Sequence, residues 1–522
     1  MKQRVTYFPP MGSDISPNTV NATTGSVDFP HTILPALEKR LTVGLSELPI
    51  ELRELLQDVH ELHIRYVSRM NYDASPPLVA RLPPGLHAFY TPRTAERNVD
   101  ICSLLHRVFS SDLKCTTVSD SFSTPAVLSE RFSSSSSFQY YHRLPKLLHF
   151  QSFLATTFCP GQYRGDCPNE VASLSYASYI DLDFDIISHA VTATAFWRAA
   201  ISSPAAKTPA RMWTENDSLE VGLLMPEKAD EDEPESLKMG GFLAVIEEDE
   251  KASPTLFSFP SRHHPLPPPS SLEFQVDFQP PIGLHPKLDI LLTRQQLISP
   301  KDDDSCALHA YLTLPSALFV DRYQLSDPAV LAQHNLKTLH SLSGTDDLEA
   351  PDWVVQRWGS AALVEVALPS DDGDKNPGAS RRETEWNVTI PLHLRYLQAD
   401  VNGTTPGYTD LEVPWPIMFW ACEAEEGLKM AVNPFDRVNL GYDGLFGPKT
   451  MFYHVPPTSD KGWSNVLEEN ITVPVLEPTW NGWVHTGTLV AVLVGLLLVC
   501  CALAKAFCGG SEKRSVVEKK AQ

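Results

Sequence analysis

At 522 residues and 43% apolar content, the chain can hold two or three domains with cores of their own. A formal net charge of −22 and a pI near 5.2 argue against nucleic-acid binding, which needs a basic face. Forty-four prolines, about 8% of residues against a usual ~5%, argue against an all-helical fold, because proline is confined to loops, turns and strand edges.

In chain order, LPIELRELLQDVHEL at 48–62 has helical spacing, and LHIRYVSRM at 62–70 alternates as a strand through Leu62, Ile64 and Tyr66. The five-serine run at 133–137 reads as an exposed loop. LEVGLLM at 219–225 and GFLAVIEE at 241–248 read as two strands flanking the acidic loop PEKADEDEPES, which no core could absorb. SRHHPLPPPSS at 261–271 reads as a stiff, polyproline-like linker; its two histidines lack a third ligand nearby in sequence. Beyond it Leu272, Phe274, Val276 and Phe278 alternate, as do Leu308 to Leu314 and Ala362 to Leu368.

The stretch Trp386–Cys422 is the most informative. Trp386, Val388, Ile390, Leu392, Leu394 and Tyr396 form one apolar strand face, and the polar face carries the sequon Asn387-Val-Thr. The stretch closes on VPWPIMFWAC, an aromatic and proline patch that is either core or a partner surface through Trp415, Phe419 and Trp420.

Thr486–Ala504 is nineteen uncharged residues, roughly 28 Å of helix, one hydrocarbon core. Ala491 and Gly495 within it would permit close helix approach. Basic residues follow the span and acidic ones precede it, so the positive-inside rule places the body outside the cytosol. Sequons at Asn21, Asn216, Asn387, Asn402 and Asn470 all precede the span. The opening residues MKQRVTYFPPMGSD lack the apolar core of an ordinary signal peptide, which leaves translocation of the body unexplained. The last four residues, KKAQ, place Lys519 and Lys520 where a dilysine endoplasmic-reticulum retrieval signal has its lysines.

Six cysteines precede the span, too few for a disulfide scaffold. Cys159 and Cys167 are candidates for a local bridge, with buried free thiols the alternative. The sequence holds none of the usual nucleophile, zinc-protease or nucleotide-binding signatures, so no catalytic, cofactor or metal residue is assigned. The sharpest candidate is Asp181-Leu-Asp-Phe-Asp185, whose carboxylates share one strand face and could hold a metal in a glycosyltransferase. The alternative has Leu182, Phe184 and Ile186 inward and the three aspartates in water.

These readings give a mainly β protein: antiparallel, sandwich-like lumenal domains followed by one C-terminal transmembrane helix. Residues 1–260 would form an N-terminal β domain, 261–271 a linker and 272–470 a second β domain. A stalk at 471–483, the membrane helix at 484–505 and a cytosolic tail at 506–522 would follow.

The second domain carries a run of blocks in order: GLHPKL at 283–288, LPSALFVDRYQL at 314–325, DLEAPDWVVQRWGS at 347–360, IPLHLRY at 390–396, VPWPIMFWAC at 413–422 and NPFDRVNLGYDGLFGPKTMFYHVPP at 433–457. With the span that follows, this region of roughly 200 residues resembles the PIG-X family, including its fungal protease B nonderepressible branch. The first ~260 residues carry no block of that resemblance. The resemblance implies a single-span endoplasmic-reticulum glycoprotein without catalytic residues. Its implied partner is the multispan catalytic subunit of glycosylphosphatidylinositol (GPI) mannosyltransferase I, which adds the first mannose to the anchor precursor in the lumen. A general lumenal chaperone or processing factor is the alternative function, and a metal-dependent glycosyltransferase a second.

Overall fold

The computed structural model describes residues 1–9, 21–23, 26–28, 36–72, 74–94, 99–125, 138–159, 167–198, 218–227, 235–245, 253–301, 305–345, 347–369, 385–398, 407–424, 430, 433–436, 441–458 and 466–518. The serine run, most of the acidic loop, Asn216, Asn402, Lys519 and Lys520 lie outside the described residues. The chain divides into two compact units, one of Met1–Tyr396 with Glu412–Ile471, the other of Leu397–Leu411 with Thr472–Gln522.

The first unit is mainly β, as the alternation implies. A ten-stranded sheet runs in the spatial order Ser253–Pro260, Ser236–Val245, Ser218–Pro226, Lys2–Phe8, Ala36–Gly44, Ala190–Trp197, Tyr179–Asp185, Val59–Val67, Gly85–Pro92, Phe138–His142. Its pairs are antiparallel except Lys2–Phe8 with Ser218–Pro226. A six-stranded sheet runs His263–Pro265, Thr450–Val455, Ile417–Glu423, Cys306–Pro315, Gly359–Val366, Leu336–Gly344. A three-stranded sheet joins Phe274–Phe278, Lys287–Thr293 and Glu385–Pro391.

The large sheet has two covered faces. Leu62, Ile64, Ile180, Phe184 and Ala195 face the short helices Ile50–Leu56, Ile101–Val108 and Leu148–Phe158 across a cavity of about 230 Å³ lined almost wholly by hydrocarbon. On the opposite face Tyr141 meets Trp358 edge-on at 5.6 Å, and the Gln139 amide donates to the Tyr311 hydroxyl at 3.0 Å. Side chains from both halves therefore share one core, from Val5 and Tyr7 to Phe419, Tyr442 and Phe452.

Three sequence expectations change. The helical pattern at 48–62 ends at Leu56, and Val59–Val67 is already a strand paired with Gly85–Pro92. Val59 and Leu62 are buried in that strand, so two overlapping apolar periods had merged into one helical reading. Residues 261–265 are no spacer: His263–Pro265 is a strand lying parallel against Phe452–His454, with Ser261, Arg262, His263 and His264 all buried. Residues 1–260 are therefore not a separate domain joined by a polyproline rod.

The second unit holds Gly407, whose carbonyl accepts from Val475 at 2.8 Å, and the Thr472 hydroxyl, which donates to Asp410 at 2.7 Å. Its helix Asn481–Glu518 is the one element among the described residues long and apolar enough to cross a membrane, over Asn481–Phe507, where the most apolar 18-residue window has mean hydropathy 2.7.

Candidate functional site

Four of the quoted blocks fold onto one corner of the first unit. Leu394 donates its amide to the Leu284 carbonyl at 2.9 Å, Asp352 to Tyr396 at 3.1 Å, and Arg395 to Ala317 at 2.8 Å. Leu318 and Phe319 pair with Leu394 and His393 as a two-stranded ribbon. Beneath this knot the Arg395 guanidinium is buried 4.4 Å over the Phe319 ring and donates to the Ser316, Asp347 and Ala350 carbonyls. Three carbonyls and a ring face offset part of the cost of burying this charge, while Nη2 is enclosed without a hydrogen bond. His393 stacks on Phe319 at 5.3 Å and meets His285 edge-on at 4.7 Å. Burial, and then the neighbouring His285, lower its pKa.

Around this corner large apolar side chains stand in solvent: Tyr323 is 71% exposed, Tyr396 64%, Val354 58% and Trp353 52%, with Leu284 and Leu348 also exposed. A rigid backbone presenting aromatic side chains is the composition of a protein-binding surface.

The aromatic patch read from VPWPIMFWAC is placed differently. Trp415 is 4% exposed, and Phe419 and Trp420 are fully buried. Ile417–Glu423 is an inner strand of the six-stranded sheet, and the unbroken burial of Ile417 to Cys422 shows that both of its faces are covered as well. Phe419 stacks on Tyr442 at 4.4 Å, Trp415 packs on Phe274 at 5.8 Å, and the Trp415 indole donates to Glu469 at 3.1 Å. These three residues are core, which removes them as a contact surface.

The aspartate triplet is also not a row in water. The Arg65 guanidinium donates from Nε and Nη2 to the two Asp181 oxygens, each at 2.6 Å, and from Nη2 to Asp436 at 2.8 Å. Arg65 lies 4.7 Å over Tyr179, and His63 stands 3.2 Å from Asp181. Burial alone would raise the Asp181 carboxyl, but Arg65 and His63 outweigh it and hold that carboxyl well below the usual range. Both Asp181 oxygens are taken, Asp183 leans on His63 at 3.3 Å, and Asp185 accepts from the Ile187 amide in a turn. The second sheet covers this face, which strand alternation cannot reveal.

A second buried network lies at the other sheet. Arg262 pairs with Asp443 at 2.7 Å and donates to the Gly447 and Phe446 carbonyls at 2.7 and 3.2 Å. His263 lies 2.9 Å from His454 and 3.4 Å from Asp443. Burial, then His263 and Arg81, push His454 far below the ordinary histidine pKa, so it is neutral. His264 is turned away, bonded to the Ser261 carbonyl at 2.7 Å.

The cysteines form three bridges, Cys102–Cys115, Cys159–Cys167 and Cys306–Cys422. The last joins facing positions of adjacent strands 116 residues apart in sequence, beyond the reach of local spacing. Asn470 is exposed, and Asn387 is half-buried with its side-chain oxygen enclosed. Ala491 and Gly495 lie uncovered on the membrane-length helix.

The PIG-X / PBN1 family profile matches residues 281–504, from the start of the knot to the apolar helix. "Protein pbn1" of Emericella nidulans is 42% identical over 96% of this chain and 95% of its own. The chain belongs to the PIG-X / PBN1 family. "Protein pbn1" of Aspergillus oryzae is 40% identical over the full length of both chains, and "Protein PBN1" of Saccharomyces cerevisiae 29% identical over 45% of each. The residues before 281, which the family profile does not cover, are thus shared with the filamentous-fungal members.

Proposed function

We propose that this chain is the non-catalytic subunit that binds and stabilises the multispan mannosyltransferase adding the first mannose to the GPI-anchor precursor. Membership of the PIG-X / PBN1 family is the observation that carries this reading and supports a place in GPI-anchor biosynthesis. The fold agrees with it: the Asp181 carboxylate, a metal candidate by sequence, is locked by Arg65, while the knot at Leu284, Tyr323, Trp353 and Tyr396 offers an aromatic surface. The body would lie in the endoplasmic-reticulum lumen, with Asn470 open to glycosylation and the basic tail in the cytosol.

The test depletes this chain and measures the abundance of the catalytic subunit. Its loss is expected; an unchanged level, or binding to many unfolded clients instead, would sink the subunit reading. A Trp353→Ala/Tyr396→Ala variant should weaken co-purification of that subunit by about tenfold or more while keeping its own abundance.

A further inference from the structure

Two β-bulges interrupt the pairing of Leu336–Gly344 with Gly359–Val366, between Leu336 and Thr338 and between Leu339 and Ser341. The residues left over at these shifts are Lys337 and His340. Both reach the same carboxylate: Lys337 Nζ lies 2.6 Å from Glu365 Oε1, and His340 Nε2 2.8 Å from Oε2. Bulges re-aim side chains in this way, and they recur beside binding sites. On the other side of Glu365, directly opposite in register, stands His309.

His309 is 3% exposed, stacked on Phe419 at 5.7 Å and edge-on to Phe446 at 5.2 Å. Its Nδ1 lies 2.9 Å from the Ala307 carbonyl, which can only accept, so the ring proton is on Nδ1 and Nε2 carries a lone pair. A histidine anchored through one nitrogen to a backbone carbonyl is the arrangement that orients metal ligands. One ligand atom each from His309, His340 and Glu365 lies within 4.8 Å of the others. Tetrahedral zinc with bonds near 2.0–2.2 Å sets its ligands roughly 3.3 Å apart. The three ligand atoms must therefore draw together by up to about 1.5 Å on binding, and the exposed His340 has room to move.

We propose that His309, His340 and Glu365 bind one zinc-class divalent cation, clipping three adjacent strands of the six-stranded sheet. Two imidazoles and one carboxylate suit zinc among the common divalent ions. The metal takes the place of the hydrogen between His340 Nε2 and Glu365 Oε2: that proton moves to His340 Nδ1, and the resulting neutral tautomer turns its Nε2 lone pair to the metal. Lys337, with a side chain 67% exposed, can stay on Oε1 or swing into water. The exposed side of His340 leaves the fourth position to water.

The test titrates zinc into the purified full-length chain in detergent, in competition with a chromophoric chelator, and records visible absorption with Co²⁺ as the probe. Wild type should take up one equivalent, give tetrahedral Co²⁺ bands and melt at a higher temperature with zinc. His340→Ala and Glu365→Gln should each weaken binding by at least tenfold and lose the bands, whereas Lys337→Met should bind as tightly or more tightly. His340 is exposed, so His340→Ala reports on binding even if a His309 variant does not fold. Absence of saturable uptake by wild type, or equal affinity in His340→Ala and Glu365→Gln, would overturn the site.

Discussion

Arg65→Met tests whether the two halves of the body are held by a buried charge network. Methionine keeps the packing of the arginine stem but removes the cation that holds Asp181 and Asp436. Breaking a buried pair by deleting one partner costs about 3–5 kcal/mol, because the remaining charge stays desolvated. His63 remains 3.2 Å from Asp181, so the loss at pH 7 should lie nearer about 3 kcal/mol, a large share of the usual ~5–15 kcal/mol total. The sign of the pH dependence follows. In the wild type the Asp181 pKa is depressed, so its contribution is complete above the unfolded pKa near ~4 and fades only below it. In the variant the Asp181 carboxyl loses Arg65 and its pKa rises, so the penalty is full at pH 7 and shrinks as pH falls through the raised value. Urea unfolding of the full-length chain in detergent, followed by tryptophan fluorescence at pH 7 and pH 5, reads both effects. Adding Asp181→Asn and Asp436→Asn to Arg65→Met should recover more than half of the loss. A loss below about 1 kcal/mol at pH 7, or a gap that does not narrow at pH 5, would refute the reasoning.

Trp420→Ala should cost about 3–5 kcal/mol by the same unfolding assay, because the ring is fully buried. Trp420→Phe should cost far less, since it also removes an indole N–H buried without a hydrogen-bond acceptor. Asn470→Gln should abolish one glycosidase-sensitive mobility shift on gels, because Asn470 is exposed ahead of the span; an unglycosylated Asn470 would count against the lumenal topology.

The period-two pattern identified strands correctly where one apolar face was continuous, as in Val388 and Ile390, or in Leu223 opposite Phe242. It failed where a strand is covered on both faces. Asp181 alternates with Ile180 and Leu182 as a solvent face would, yet the second sheet lies over it, and only the partner Arg65, 116 residues away, shows why an aspartate is tolerated there. The same blindness applies to VPWPIMFWAC. Composition marks it as sticky, but nothing local says that Ile417–Glu423 is an inner strand. The exposed corner was within reach, because APDWVV sets Trp353 and Val354 in a proline-bounded turn, where a large apolar residue has little core to enter. His309, His340 and Glu365 were not within reach, since three strands and two bulges bring them together.

The family profile covers only the later half of this body, yet that half does not close on itself. Phe435 sits among Phe8, Phe257 and Phe259, at 6.4, 5.3 and 5.8 Å. Asp436 completes the charge of Arg65, and the Tyr442 hydroxyl donates to the Arg81 carbonyl at 3.2 Å. All three residues belong to the NPFDRVNLGYDGLFG block, and Phe8, Arg65, Arg81, Phe257 and Phe259 all lie before the profile begins. The Arg40 guanidinium adds contacts to the Pro434 and Phe435 carbonyls. An apolar ring left in water costs free energy, and a carboxylate taken out of water needs a cation beside it, so this block needs a counterpart surface. In this chain the ten-stranded sheet is that surface. The N-terminal half therefore acts as the scaffold on which the family-defining segment is held.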